Sequence, residues 1–307
     1  MINVVRIAIV GAGAVGGTLA CYLTLYGSKV VLLARGRSLE AAKGGFYFEG
    51  AMGVRRGVKV EVVGEPNGDV DVVIYATKAY DLMEAAEGVS ESGWGEAFQM
   101  TLQNGLGNEE ALAEVFGREK TLSSVIYISA ERVRPGAFRH LSGGKMYMGS
   151  LWMTKEKKEL LGLLRNEISR TPIRVELVDD IRYWIFRKLL WNAPFNPITA
   201  LLNMEIDHIV RIPEALILAK RVMGEIDALV KAMGINLGEE VIERNVSATI
   251  EMGGGETSML ADLRRGRRME IEAILGRPLQ MGERMGVEMT TLKTIYEILT
   301  SHPGGVL

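Results

Sequence analysis

The sequence predicts an α/β N-terminal part built on a mostly parallel sheet, followed by an all-α C-terminal part. Three observations carry this. Short, continuously apolar runs rich in valine and isoleucine recur through the first 178 residues, helical stretches alternate with them, and beyond residue 179 the strand-like runs stop. Runs that are apolar throughout suit strands covered on both faces, and strands alternating with helices imply βαβ units. A chain of 307 residues is long for one domain and comfortable for two, and 48% hydrophobic residues give each a core. The expected division is 1–178 and 179–307, with the cleft between the two as the default site.

The first strand is Val4–Val10, bounded by Gly11, and Val30–Leu33 follows after about one helix. Val58–Val63, Val70–Ala76, Phe98–Leu102 and Leu122–Ser129 continue the series. Gly136–His140 and Lys145–Gly149, on either side of Ser142-Gly143-Gly144, read as a hairpin added at a sheet edge. Arg174–Val178 is the last strand, and Asp179 or Asp180 can cap the helix that follows. From there helices are expected at Ile181–Ala193, Pro213–Met233, Glu239–Met252, Met259–Arg265, Glu270–Met285 and Leu292–Thr300. Pro194 and Pro197 should break or kink the first of these, while Gly253-Gly254-Gly255 and Pro303-Gly304-Gly305 punctuate the region.

Composition narrows the function. A net charge of −2 gives no basic field for a nucleic-acid backbone, and the single cysteine, Cys21, excludes an intramolecular disulfide and any CxxC metal site. His140, His208 and His302 are scattered without ligand spacing, which argues against a metal-dependent mechanism. The N-terminus lacks the ordered regions of a signal peptide, and no apolar run reaches the ~18 residues of a membrane span. A cytoplasmic protein acting on a small molecule is expected, with no nucleic-acid or membrane partner; apolar helical faces leave a homodimer open.

Gly11-Ala12-Gly13-Ala14-Val15-Gly16 is a GxGxxG directly after a strand and before a helix. Its glycines allow a tight turn, close approach of a pyrophosphate and close helix–strand packing, and the free N–H groups of the helix start hold phosphate. A plain glycine-rich turn is the alternative, but the strand–turn–helix setting favours a Rossmann-type dinucleotide site. Domains that bind NAD usually end the second strand on a carboxylate; here it ends Leu33-Ala34-Arg35-Gly36-Arg37. Arg35, helped by Arg37, can pair with a 2′-phosphate, so NADP(H) is favoured over NAD(H); two solvated arginines are the plain alternative. Lys78 and Asn104 follow the strands ending at Ala76 and Leu102, at the sheet end that faces ligands in open parallel sheets. Taken alone, Lys78 is as readily an exposed lysine and Asn104-Gly105 a turn.

The segment from Tyr183 to Pro197 holds the chemistry. Lys188, Asn192 and Asn196 recur every four residues among aromatic and aliphatic side chains, so they share a helix face. A lysine desolvated by such neighbours has its pKa lowered, and can protonate a developing alkoxide and stabilise its charge; a lysine snorkelling from a buried helix is the alternative. Asn192 and Asn196 can donate to hydroxyl or carboxylate oxygens. Ser258 and Glu270 lie twelve residues apart, roughly 18 Å along one straight helix, so both can serve one site only if the chain breaks near Gly266. Without that break, Glu270 is a surface carboxylate beside Arg267 and Arg268.

Together these pieces resemble the ketopantoate reductase family from about residue 5 to 285. The resemblance rests on GAGAVG at 11–16, TKAYD at 77–81, QNGLGN at 103–108, RKLLWNAPFNPITAL at 187–201 and the TSML and RGRRMEIEAILG runs within 257–276. It implies a Rossmann domain with a helical C-terminal domain and reduction of a branched 2-keto acid by NAD(P)H. By resemblance Lys188 is the catalytic acid and Glu270 its partner and substrate contact. Asn192, Asn196 and Ser258 bind the substrate, Asn104 lies between cofactor and substrate, and Arg35, Lys78 and Ala130 hold NADP. Two departures bear on substrate specificity. Ile206 stands near the place of a further family asparagine, Asn203 coming too early, and Gly255-Glu256-Thr257 replaces an asparagine-rich stretch. The rivals are a reductase of another 2-keto acid and a non-catalytic NADP-binding sensor, which has no need of Lys188 and Glu270 together.

Overall fold

The structure is a computed structural model that describes residues 5–50 and 53–301. Val4, His302 and Pro303-Gly304-Gly305 lie outside the described residues. The chain forms two units: Met1–Gln103 with Asn108–Ile181, and Asn104–Gly107 with Arg182–Leu307.

The first unit carries β1 (Arg6–Val10), α1 (Ala14–Leu25), β2 (Lys29–Leu33), α2 (Arg37–Ala42), β3 (Phe46–Gly50), β4 (Gly53–Val58), β5 (Glu61–Val63) and β6 (Val72–Tyr75). Next come α3 (Leu82–Ser90), β7 (Phe98–Thr101), α4 (Asn108–Phe116), β8 (Thr121–Arg134), β9 (Ala137–Gly149), α5 (Lys155–Ile168) and β10 (Arg174–Leu177). Among the described residues the strands form one sheet in the order β4-β3-β9-β8-β7-β6-β1-β2-β5, with β10 also on β9. From β5 through β8 every pairing is parallel.

Alternation along these strands divides the core in two. Ile7 and Ile9 of β1 pack with α1 and α5, whereas Ala8 and Val10 pack with the α3 and α4 side through Leu82, Ala86 and Leu112. Both faces are thus covered, as the unbroken apolar runs require.

Three expectations need correction. Gly136–His140 and Lys145–Gly149 are not two arms of a hairpin: Ala137–Gly149 is one strand, β9, pairing antiparallel with β8, and the turn lies at Pro135-Gly136. Gly143 and Gly144 instead accommodate a register shift with positive φ of 81° and 117°, and a Cβ on Gly143 would lie 2.6 Å from the Tyr127 carbonyl oxygen. Val58–Val63 is not one strand: β4 ends at Val58 on one sheet edge, and β5 lies on the other. The third concerns the prolines of the second unit.

That unit contains α6 (Ile181–Leu202), α7 (Ile206–Ile209), α8 (Pro213–Ala232), α9 (Val241–Met252) and α10 (Ser258–Arg264). A π-helical turn (Glu272–Gly276), α11 (Arg277–Met285) and α12 (Thr290–Thr300) complete it. Helix α6 runs through both Pro194 and Pro197 instead of ending at Ala193. Its apolar neighbours are fully buried, Ala193 and Phe195 among them, so packing holds the helix where propensity does not. The Thr199 hydroxyl lies 2.8 Å from the Phe195 carbonyl oxygen and 2.9 Å from that of Asn196, a back-bond within the turn that follows the prolines.

Candidate active site

Gly11 to Gly16 form the turn between β1 and α1, and each glycine has its own reason. A Cβ on Gly11, at φ 108°, would meet the Thr77 nitrogen at 2.9 Å; one on Gly16 would meet the Gly11 carbonyl oxygen at 2.1 Å. A Cβ on Gly13 would find only the Ala76 carbonyl oxygen, at 3.7 Å. Among the described residues nothing requires a glycine at 13, which fits a ligand approaching the backbone there. No side chain caps the α1 N-terminus, so its first N–H groups remain for phosphate. A fourth glycine, Gly17, went unnoticed in the motif; a Cβ there would lie 2.1 Å from the Phe138 ring, so it sets the contact of α1 with β9.

Arg35, just past β2, lines an open cavity of about 730 Å³ with Gly36, Leu39 and residues 62–67. Its guanidinium pairs with Glu84 of α3 at 3.1 Å, both side chains being mostly exposed. Lys78 immediately precedes the 3₁₀ turn Ala79–Asp81, half-buried after β6, and Ala130 lies half-buried on β8 opposite His140. Gln103 links neighbouring strand ends, donating to the Thr77 hydroxyl at 3.3 Å. The glycine cradle, the uncapped helix start and Arg35 fit a dinucleotide.

The second unit gathers Lys188, Asn192, Asn196, Ser258, Glu270 and Asn104. Lys188 is half-buried overall, but its ammonium is desolvated, which pushes its pKa down to about 8; the nearby Glu270 carboxylate works in the opposite direction. Glu270 itself is 6% exposed. One and two turns on from Lys188, Asn192 and Asn196 are buried at 5% and 1%. Neither the Oδ1 nor the Nδ2 of Asn196 has a hydrogen-bond partner among the described residues. A buried amide left so costs on the order of 1–3 kcal/mol, and in a native fold such a group is met by an ordered water or a ligand.

The break expected near Gly266 is present. Helix α10 ends at Arg264, Gly266 takes φ 59°, and Arg267 donates its N–H back to the Asp262 carbonyl at 2.8 Å. Ser258 opens α10, exposed, after the N-cap Thr257, whose hydroxyl accepts from the Leu260 N–H. The Thr257 hydroxyl lies 2.6 Å from that of Thr199, tying Ser258's turn to the helix that carries the asparagines. Sequence reading missed this tie; two threonines 58 positions apart give no local signal. Asn104, half-buried, sits on a loop whose Leu106 N–H donates to the Ala273 carbonyl at 2.9 Å. Gly105 has φ 85°, and a Cβ there would lie 2.3 Å from that same oxygen.

Of the two departures, Ile206 is buried in the apolar core and offers no polar group. Asn203, at φ 50°, receives the Arg264 guanidinium on its side chain (2.9 Å) and its carbonyl (3.0 Å), so it fastens the end of α6. Among the described residues no group of three or more His, Cys, Asp or Glu could hold a metal ion, and no helix is long and apolar enough to cross a membrane.

Residues 7–152 match the family model described as ketopantoate reductase PanE/ApbA, and residues 180–302 match that of its C-terminal part. This chain belongs to the ketopantoate reductase family. It is an NAD(P)-dependent oxidoreductase with the family's Rossmann-type α/β and helical parts. The 2-dehydropantoate 2-reductase of Archaeoglobus fulgidus is 31% identical to it over 99% of this chain and 100% of that protein. The crystal structure of 2-dehydropantoate 2-reductase from Geobacter metallireducens superposes with a TM-score of 0.90 at 30% identity, covering 96% of this chain and 99% of that one. A D-mandelate dehydrogenase solved with NADH and anilino(oxo)acetate shares the fold, with a TM-score of 0.88 at 22% identity over 96% and 97% of the two chains.

Proposed function

We propose that this ketopantoate reductase family member uses NADPH to reduce 2-dehydropantoate to (R)-pantoate on the route to pantothenate and coenzyme A, with Lys188 as general acid. The observation that carries the reading is a desolvated lysine beside a buried carboxylate, on the same helix face as an asparagine whose amide finds no partner among the described residues. On this reading the domains are 1–178 for cofactor and 179–307 for substrate, and the biosynthetic role places the enzyme in the cytoplasm.

NADPH, when bound, would supply from its nicotinamide C4 the hydride that the keto carbon receives. Gly11, Ala12, Gly13, Ala14, Val15 and Gly16 hold its pyrophosphate, Arg35 its 2′-phosphate, and Lys78, Asn104 and Ala130 the remainder. The Lys188 ammonium donates its proton to the alkoxide oxygen as charge grows there, and Glu270 keeps that ammonium charged and oriented. Asn192, Asn196 and Ser258 hydrogen-bond the carboxylate and hydroxyl of the substrate. Such a mechanism needs the protonated lysine, so the reductive kcat falls as pH rises through about 8.

The test follows NADPH and NADH oxidation at 340 nm with ketopantoate and with a panel of other 2-keto acids. Lys188→Ala should lower kcat about 10²–10⁴-fold. Arg35→Ala should raise KM for NADPH about tenfold while leaving KM for NADH within about twofold. A Lys188→Ala enzyme as fast as wild type would end the acid assignment. Turnover of another keto acid in preference to ketopantoate would move the substrate, for which the apolar Ile206 is the first residue to examine.

A further inference from the structure

The π-helical turn Glu272–Gly276 begins two residues after Glu270, and π-turns inside helices recur at functional sites. Both strands of the chemistry meet on it. The Glu270 carbonyl accepts from Ile274 N–H at 3.2 Å, and the Ala273 carbonyl accepts from Leu106 N–H of the Asn104 loop at 2.9 Å. The loop takes a second bearing on α11, where the Arg277 side chain lies against Gly107, close enough that a Cβ there would be 3.3 Å from Nε.

What braces the turn itself is an exposed side chain. The Glu272 carboxylate accepts from the Tyr296 hydroxyl of α12 at 2.9 Å and from the Gln280 amide of α11 at 3.0 Å. Gln280 is oriented in turn by Arg277, which donates to its Oε1 at 3.3 Å. The carboxylate lies over the bare Cα of Gly276, where any Cβ would stand 2.4 Å from Oε2.

We propose that Glu272 is a positioning residue: by bracing the π-turn against Tyr296 of α12 and, across Gly276, against Gln280, it sets the places of Glu270 and the Asn104 loop. This rests on the roles given above to Lys188, Glu270 and Asn104. Two pieces of backbone that must agree in position hang from one turn, and the turn is braced by charge-assisted hydrogen bonds, one to α12 and one to Gln280 further along its own continuous helix.

The test compares Glu272→Ala, Glu272→Gln, Tyr296→Phe and Gly276→Ala in the full-length enzyme. Glu272→Ala should lower kcat about tenfold and raise KM for NADPH by no more than about fivefold, because Asn104 is one of several cofactor contacts and a misplaced group costs rate first. Glu272→Gln, which still accepts one hydrogen bond, should recover most of that loss. In Gly276→Ala the nearest atoms to the new methyl all belong to the flexible Glu272 carboxylate, so the variant should reproduce part of the loss with the fold intact, and Tyr296→Phe should do the same. As Glu270 recedes from Lys188, the high-pH limb of kcat should move to lower pH. The pH dependence of Lys188 acylation, read by mass spectrometry without turnover, should move with it.

Should Glu272→Ala, Tyr296→Phe and Gly276→Ala keep the wild-type kcat and the wild-type Lys188 titration, the proposal is overturned, whatever happens to stability. If Glu272→Ala fails to fold, the other two variants decide by the same readouts. A Lys188→Ala enzyme of wild-type rate sinks the acid assignment instead; an impaired Lys188→Ala beside a normal Glu272→Ala sinks the positioning role alone.

Discussion

The glycine turn after β1 and the asparagine face of α6 are built on opposite plans. At 11–16 the working parts are backbone N–H groups and missing side chains: Gly11 and Gly16 are required by neighbouring backbone, and Gly13 is open. On α6 the working parts are side chains, a desolvated lysine and two buried amides, in a helix that carries two prolines. The first plan needs almost no stability sacrificed, because uncapped N–H groups at a helix start are met by water until a ligand arrives. The second stores a cost in the free protein, since the Asn196 amide is buried with neither end satisfied among the described residues. A site made of backbone is cheap to keep; a site made of buried polar side chains is held against the folding preference of its own residues.

Asn196→Ala tests that contrast most severely. Alanine removes both unsatisfied groups, suits a helix and leaves only a small void, so the variant should unfold at higher denaturant, by about 1 kcal/mol, while kcat/KM for the keto acid falls on the order of 10²–10³-fold. Urea unfolding and steady-state kinetics on the same preparation read both. A variant that loses stability along with activity would mean that the amide serves the fold, and the contrast would fail at its strongest point.

The next effect belongs to the turn. Gly13→Ala places a methyl at φ −75° in ordinary contact with its nearest neighbour, so the free protein should keep or slightly raise its melting temperature. Dinucleotide affinity should nevertheless fall roughly tenfold to a hundredfold, the cost of about 1–3 kcal/mol of crowding against the ligand. Gly16→Ala, whose methyl would stand 2.1 Å from the Gly11 carbonyl oxygen, should instead lose stability outright. Calorimetry with NADPH and thermal unfolding separate the two, and equal behaviour of the two variants would erase the distinction between packing and ligand glycines.

The same contrast explains what the sequence made legible. GAGAVG announces itself because backbone geometry restricts the residue type at fixed spacing, whatever surrounds it. Lys188, Asn192 and Asn196 were legible as misfits, polar residues at helical spacing in an apolar segment. The run of α6 through Pro194 and Pro197 was not, since the local rule against proline was overridden by burial that only the assembled unit supplies. The long β9 was hidden for a related reason. Ser142-Gly143-Gly144 has the chemistry of a turn, and pairing with β8 turned it into a bulge. Ties such as Thr199 with Thr257, or Leu106 with Ala273, join segments far apart in sequence and leave no periodic trace.

The smallest effect asks whether the first unit also conceals side-chain chemistry. Glu109, at the start of α4, is 5% exposed; it accepts from the Thr101 hydroxyl at 2.9 Å, and burial raises its carboxyl pKa to about 6. Against the ordinary value of 4.5, the folded state holds this proton more tightly than the unfolded chain. Its contribution is therefore fully present below pH 4.5 and fades as pH rises through about 6, a loss of ~2 kcal/mol. Glu109→Gln keeps an acceptor for Thr101 and cannot ionise. The variant should lack this fall, gaining up to ~2 kcal/mol over wild type at pH 7.5 and little at pH 4, as read by urea midpoints at the two pH values. Its kcat should stay within about twofold of wild type if the carboxyl serves only the scaffold. A large fall in kcat with an unchanged stability profile would place a working side chain beside the backbone-built turn, and the division between the two plans would no longer follow the two units.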